Sequence, residues 1–259
     1  MGVFPTLPPE YETWMFAGGA ALARRDAAAS VRAALESGTL YGWARGQAAR
    51  ETFAGRGEAY GVSLGSVRVV VRHARRGGLV APLLRDRYLG PPRFLREIAM
   101  SRHLAHAGIA TPDVVAAVHY PAGVGHRADV ATQRVDGRDL ASIFFGDTPP
   151  VAAARPLILH EVGKAVRRLH EGGFVHPDLQ LRNVLVSPYP VTVSGALPTL
   201  TVWLLDVDTC RAVGRGDLGA HRANVARFAR SWEKFNRLQG PHLTADDRAA
   251  FAGGYAERR

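Results

Sequence analysis

The chain is almost without two residue types: it has one cysteine, Cys210, and two lysines, Lys164 and Lys234. A lone cysteine excludes an internal disulfide and any multi-cysteine metal site. With no lysine before position 164, any cation that grips an anionic ligand in the first half must be an arginine. No apolar run reaches the roughly eighteen residues that a membrane-spanning helix requires. The opening MGVFPTLPPEYETW carries acids and prolines where a secretory signal would have basic and then apolar residues, so the chain is expected to stay in the cytoplasm. Internal repeats, low-complexity linkers, zinc-ligand spacing and RNA-recognition aromatic motifs are also missing, which argues against a specific nucleic-acid binder.

What is present sets the class. At 259 residues and 47% hydrophobic, with 28 Gly and 16 Pro, the chain is globular and long enough for one large domain or two lobes. Its formal charge of +10 predicts attraction to something anionic: a nucleic acid, an anionic membrane surface or a phosphorylated substrate. A coding bias toward Arg and Ala accounts for the arginine content equally well.

Three stretches differ in texture. Residues 1–49 read as an N-terminal extension, irregular and then helical from Asp26 to Ser37, closed by Gly38. Residues 50–135 are strand-rich: ETFAGRGEAYGVSLGSVRVVVRHA has short apolar runs broken at Gly55-Arg56-Gly57 and Gly65-Ser66, a meander of about three antiparallel strands. PRFLREIAMSRHLAHAGI then repeats Phe94, Ile98 and Leu104 near helical spacing and stops before Gly108, and two strand-like runs, DVVAAVHY and ADVATQRV, follow. Residues 136–259 are helix-rich. Pro156 to Leu169 presents Leu157, Ile158, Val162, Val166 and Leu169 on a helical face that Gly172-Gly173 ends with an expected left-handed cap. After it come FVHPDLQLRNVLV, a Pro- and Gly-containing hairpin from Ser187 to Pro198, the strand TLTVWLLDVD, and helices near 218–239 and 244–257. A strand-rich half, a polar bend near 136 and a helix-rich half predict an α+β chain of two lobes with a cleft between them.

Several polar groups punctuate this order. Gly55 and Gly57 would let backbone N–H groups close over phosphates, though a plain hairpin turn has the same composition. Arg72 ends the strand Val69-Val70-Val71 and can clamp phosphate oxygens bidentately, with Arg68 a rival on the same face. Glu97, on the helix that follows, is placed to pair with the strand cation. In His176-Pro177-Asp178-Leu179, Asp178 stands five residues before Asn183, which lets one loop turn a carboxylate toward a substrate hydroxyl and bring an amide oxygen back to a metal. Asp206 ends a strand as a hard oxygen ligand for Mg²⁺; Asp208 is a second metal ligand or a turn acid. His176 reads as a structural bridge between loop and strand. Together these follow the order of a protein-kinase-type phosphotransferase, which needs phosphates held, metal ions bridging them and a base at the attacking hydroxyl.

The sequence resembles the 3-deoxy-D-manno-octulosonic acid (Kdo) kinases of the lipopolysaccharide kinase family. The likeness is carried by LYGWA (40–44), GRGEAYGV (55–62), VVVRHARRGGLVAPLLRDRYL (69–89), FLREIAMSRHLAHAGIATPDVVAA (94–117), HPDLQLRNVLV (176–186) and LLDVD (204–208), and it extends from about residue 10 to about 240. Members tend to carry Tyr, Asn and Phe where this chain has Ala74, Gln180 and Val207. The resemblance implies a protein-kinase-like two-lobed fold, with an N-lobe of antiparallel sheet plus one helix (50–135) and a mainly helical C-lobe (136–259). It implies ATP and Mg²⁺, with Arg72, Glu97, Asp178, Asn183 and Asp206 in the roles above, Val62, Val70 and Leu185 lining the adenine, and a hinge near Gln133 to Val135. It further implies phosphorylation of a Kdo hydroxyl on a lipid A precursor, or another anionic glycolipid, at the cytoplasmic face of the inner membrane. Arg75, Arg76, Arg85 and Arg87 would then meet anionic headgroups.

Two other functions share this fold. Another small-molecule, heptose or protein hydroxyl could be the acceptor, since acceptor choice lies in loops that a single sequence does not decode. Gln180, where serine/threonine kinases usually carry lysine, argues mildly against a protein. A non-catalytic pseudokinase would be expected to lose Asp178, Asn183 or Asp206, and all three are present.

Overall fold

The structure is a computed structural model that describes residues 7–53, 57–74, 93–123, 125–147, 149–191 and 199–257. Gly55, the arginines from Arg75 to Arg87 and most of the 187–198 insertion therefore lie outside the described residues. The chain divides into two units, one of Met1–Ile98 and Asp113–Arg134, the other of Ala99–Pro112 and Val135–Arg259.

The first unit is built on a seven-stranded antiparallel sheet in the order β1-β2-β6-β7-β5-β4-β3. Its strands are β1 (Tyr11–Phe16), β2 (Gly19–Arg24), β3 (Glu51–Phe53), β4 (Ala59–Leu64), β5 (Val67–His73), β6 (Val114–Ala122) and β7 (Gly125–Gln133). The expected meander is β3, β4 and β5, with Gly65 taking φ 64° in the tight turn between the last two.

Residues 11–24, read from sequence as an irregular lead-in, instead form β1 and β2, which pair with each other and join β6. The reason lies in β2. Its first five residues, GAALA, are all buried, so the polar alternation that marks a half-exposed strand is absent and its alanines resemble a helix. Ala21 and Ala23 pack under α1 (Ala28–Glu36) and α2 (Leu40–Gly46), together with Val69, Val71 and Ala131. Leu22 points the other way, toward Phe94 and Ile98 at the start of α3 (Arg93–His106). The sheet is thus covered on both faces: α1 falls within the helix expected from Asp26 to Ser37, and α2 is a further helix among the described residues.

The second unit is mainly helical: α4 (Leu140–Phe145), α5 (Ala154–Glu171), α6 (Leu218–Gln239) and α7 (Ala245–Ala256) surround two small sheets. One sheet joins β11 (Thr201–Leu204), β10 (Val184–Ser187) and β8 (Arg138–Asp139); the other joins β12 (Arg211–Ala212) and β9 (Phe174–Val175). The apolar face of α5 is fully buried at Ile158, Val162, Val166 and Leu169, and Gly173 adopts φ 82° just past its end. Glycine is required midway along α5. A Cβ on Gly163 would stand 2.2 Å from the Phe251 carbonyl oxygen of α7, and one on Gly254 would stand 1.9 Å from that of His160. Backbone contact between α5 and α7 therefore depends on both residues. Thr244 and Asp247 cap α7 reciprocally, and Arg155 of α5 pairs with Asp247, which fixes the start of α7 against α5.

Candidate active site

The first unit supplies a cation held by a buried acid. Along β5 the side chains alternate, so Arg68, Val70 and Arg72 share one face while Val69, Val71 and His73 face α1 and α2. Across that sheet lies Glu97 of α3, 8% exposed beside Phe94 and Ile98. A carboxylate placed there needs a cation, and Arg72 Nη2 lies 2.7 Å from both of its oxygens. Arg72 remains 37% exposed. Arg68 is held differently, by the strand acid Glu51 at 3.1 Å, and is 51% exposed. Glu51 also accepts from Arg134, and that bond above all holds its carboxyl below the usual range.

Strand register separates residues that the sequence grouped. In the β4–β5 pairing Gly61 stands opposite Val70 and Val62 opposite Val69, and opposed residues share a face. Val62 consequently packs with the cluster under α1 and α2, on the face away from Val70 and Arg72. The expected lining of one site by Val62 and Val70 together is corrected: Gly61 takes the place beside Val70. Gln133 opposes Val69, which puts its side chain on the Val62 face, and its backbone N–H donates to Asp113 O. Val135 is 9% exposed and begins the second unit's closing segment. Gly57 is described next to the segment that contains Gly55.

A buried network in this unit was not legible in the sequence. Asp129 of β7 is fully buried; its Oδ1 lies 2.6 Å from His73 Nδ1, and its Oδ2 accepts from the Tyr41 N–H and the Tyr120 hydroxyl. Tyr120 in turn accepts from the Leu40 N–H, so two N–H groups at the start of α2 end on this cluster. Burial, reinforced by Asp129, pushes the Tyr120 phenol far up and keeps it a donor. The LYGWA segment is thereby tied to His73, next to Arg72.

The second unit holds the loop between β9 and β10. Leu179 and Leu181 are fully buried anchors, and the residues that alternate with them, Asp178, Gln180 and Arg182, stay at least partly exposed. Asp178 Oδ2 accepts from Gln180 Nε2 at 3.0 Å and Asn183 Nδ2 at 3.3 Å, and Asp178 Oδ1 accepts from Arg227 Nη2 at 2.7 Å. Asn183 also donates through Nδ2 to the Asp178 carbonyl at 2.8 Å, which uses its amide nitrogen and leaves the amide oxygen for another partner. The β10–β11 register, Val184 opposite Leu204, then brings in the acid: the Leu205 N–H donates to Asn183 O, and Asp206 comes next. Asp206 has φ 59° and ψ 43°, the one left-handed non-glycine residue among the described residues. Such a conformation costs energy and Asp tolerates it better than most, which marks the position as one the surroundings enforce. Asp206 is exposed and Asp208 is 9% exposed in the following 3₁₀ turn. Leu185 stands opposite Trp203 on β11 and Asp139 on β8.

Neutral groups fix this loop from behind. His176 is fully buried and donates through Nε2 to Leu205 O at 2.8 Å, so one imidazole bridges the start of the loop and the residue before Asp206. Burial lowers its pKa and keeps it neutral. Asn224 of α6 clasps the His176 backbone with both ends of its amide, accepting from N–H at 3.1 Å and donating to O at 2.6 Å. Its oxygen accepts also from His170 Nε2, and His170 Nδ1 takes the Tyr255 hydroxyl. His170 is pushed down to about 4 by burial and stacks on His221 at 4.4 Å. Ser231 accepts from the Leu181 N–H. Cys210 is buried and its thiol is pushed up to about 12, so it offers no thiolate.

Asn224, Arg227 and Ser231 lie at i, i+3 and i+7 of α6, and sequence reading missed all three. Asn224 and Ser231 recur with His221 and Phe228 on the buried face of that helix, a polar stripe at core spacing that could have been found.

A half-exposed carboxylate on an anchored loop in one unit, and an arginine set on a strand in the other, are each the kind of group that phosphoryl transfer uses, since positioning and charge do most of its work. The α+β frame is that of the kinase-like phosphotransferases that act on hydroxyl groups. The chain belongs to the lipopolysaccharide kinase (Kdo/WaaP) family, whose model matches residues 42–255. A 3-deoxy-D-manno-octulosonic acid kinase of Vibrio parahaemolyticus is 30% identical over 185 residues, 70% of this chain and 71% of that protein. One of Actinobacillus succinogenes is 32% identical over 200 residues, 75% of this chain and 78% of that one. Among solved structures, WaaP in complex with acyl carrier protein matches with a TM-score of 0.51 at 18% identity, covering 81% of this chain and 79% of that one. Among the described residues no helix is long and apolar enough to cross a membrane.

Proposed function

We propose that this chain transfers the γ-phosphate of ATP to a hydroxyl of a Kdo sugar on a lipid A precursor. The observation that carries the reading is the Asp178 loop: a carboxylate with one oxygen turned to Asn183, on a backbone anchored by Leu179, Leu181 and Asn224. Asp178 is the general base that takes the proton of the attacking hydroxyl. Arg72, steadied by Glu97, holds nucleotide phosphate oxygens, and Val70 and Leu185 are assigned to the adenine. Gly55 and Gly57 cover the phosphates through their backbone.

The donor set suits Mg²⁺: an exposed Asp206 carboxylate and an Asn183 amide oxygen left by its spent nitrogen are hard ligands, few enough for an ion that keeps much of its water. Asp206 and Asn183 would hold the ion, with Asp208 as a turn acid behind Asp206. When bound, the ion would neutralise charge on the phosphate oxygens. The +10 charge supports a peripheral position on an anionic membrane surface, at the cytoplasmic face of the inner membrane.

The test is transfer of labelled γ-phosphate to three acceptors: a Kdo-bearing lipid A precursor, the same lipid without Kdo, and a generic protein. Label confined to the Kdo lipid is the expected result. Label on the Kdo-free lipid or the protein would keep the kinase and discard this acceptor.

A further inference from the structure

Asp178 has more partners than its position requires. The loop backbone is already fixed by Asn224 on both sides of His176, by Ser231 at Leu181 and by two fully buried leucines. Asp178 Oδ2 is oriented by Gln180 and Asn183. Arg227 adds a cation to the other oxygen, Oδ1, and as a half-exposed ion pair it contributes little to stability.

What distinguishes Arg227 is its unused capacity. The side chain is 30% exposed and only Nη2 is engaged; among the described residues Nε and Nη1 donate to nothing. A guanidinium presents a planar fork that matches a carboxylate, and here the fork stands beside the group assigned to receive the acceptor's proton. The two oxygens of Asp178 also look in different directions. Oδ2 meets Asn183, the residue assigned to the metal and nucleotide, whereas Oδ1 meets Arg227. An anion held by Arg227 therefore belongs to the acceptor.

We propose that Arg227 is a specificity-determining residue that binds the carboxylate of an acidic acceptor sugar and so sets that sugar's hydroxyl against Asp178. This rests on the acceptor reading above, whose sugar is an acid. Neutral sugars of similar shape would leave the fork unpaired and be selected against.

The experiment measures kcat and KM for the Kdo-bearing lipid A precursor and for its Kdo methyl ester, with wild type, Arg227→Gln and Arg227→Lys. Wild type should lose about 10- to 100-fold in kcat/KM on the ester, the scale of one charge-assisted hydrogen-bonded contact, mostly through KM. Arg227→Gln should lose the same on the acid and nothing further on the ester, with KM for ATP unchanged; Arg227→Lys should recover part of the loss. Equal wild-type rates on acid and ester would overturn the inference without recourse to any variant. Equal losses by Arg227→Gln on both acceptors would make Arg227 a positioning residue for Asp178, and a raised KM for ATP would assign its oxyanion to the nucleotide; either result also overturns it. Failure of wild type to phosphorylate either lipid would instead remove the acceptor reading itself, and this inference with it.

Discussion

The two units hold their candidate groups by opposite means. Arg72 is tethered by charge, through the buried carboxylate of Glu97, and its side chain is 37% exposed. The Asp178 loop is held mainly by neutral groups: an asparagine, a serine, a neutral histidine and two leucines. A cation that must bind phosphate loses little by keeping a fixed counter-charge on one side. A loop whose task is geometric gains from partners that salt does not screen. The contrast predicts that breaking the first unit's link costs nucleotide affinity, while breaking the second unit's costs turnover.

Apart from the base itself, the largest effect is expected at Asp206. Asp206→Asn keeps a residue that accepts φ 59° but removes a charged metal ligand, so kcat should fall about 100- to 1000-fold with an unchanged melting temperature. A matching loss of melting temperature would show the acid to be structural. Next comes Arg72→Gln, which takes a cation from the buried Glu97 carboxylate and should cost up to about 3 kcal/mol in denaturant titration. Adding Glu97→Gln should restore stability without restoring KM for ATP. That dissociation is what sharpens the contrast.

Asn224→Ala is expected to cost about 2 kcal/mol, since the His176 N–H and C=O and the His170 Nε2–H all lose their partner, and to lower kcat more than it alters KM for ATP. The neutral network should also fail in acid. His170 titrates near 4 in the folded chain against an ordinary 6.5, so as pH falls from 6.5 to about 4 the unfolded chain takes up a proton that the folded chain refuses. Stability is lost across that window and levels off below it. Melting curves between pH 7 and 4 should therefore slope less for His170→Gln than for wild type. The smallest effect belongs to Arg68→Gln, whose exposed pairing with Glu51 should move KM for ATP by no more than about twofold, as a surface change of this kind is worth under about 0.5 kcal/mol. A large rise would transfer the phosphate role from Arg72 to Arg68.

The sequence revealed what local spacing encodes. Asp178 and Asn183 are bonded across their five-residue gap, α6 and α7 fall at Leu218–Gln239 and Ala245–Ala256 where helices were expected, and Arg72 and Glu97 meet although they stand 25 positions apart in the chain. What it hid depends on faces and distance. The all-buried GAALA of β2 has no alternation to read, and Val62 changes face through a register that one residue decides. Asp129 meets His73 across 56 positions and Tyr41 across 88, and Arg227 meets Asp178 across 49, with nothing nearby in the chain to announce either contact.

The most direct test of the account is single-turnover phosphoryl transfer by Asp178→Asn, with ATP affinity and melting temperature measured on the same sample. The account predicts that transfer to the acceptor hydroxyl falls by about 100- to 10,000-fold, the range for loss of a general base, while nucleotide affinity and melting temperature hold. Transfer within a few-fold of wild type would contradict the assignment of Asp178 as the base.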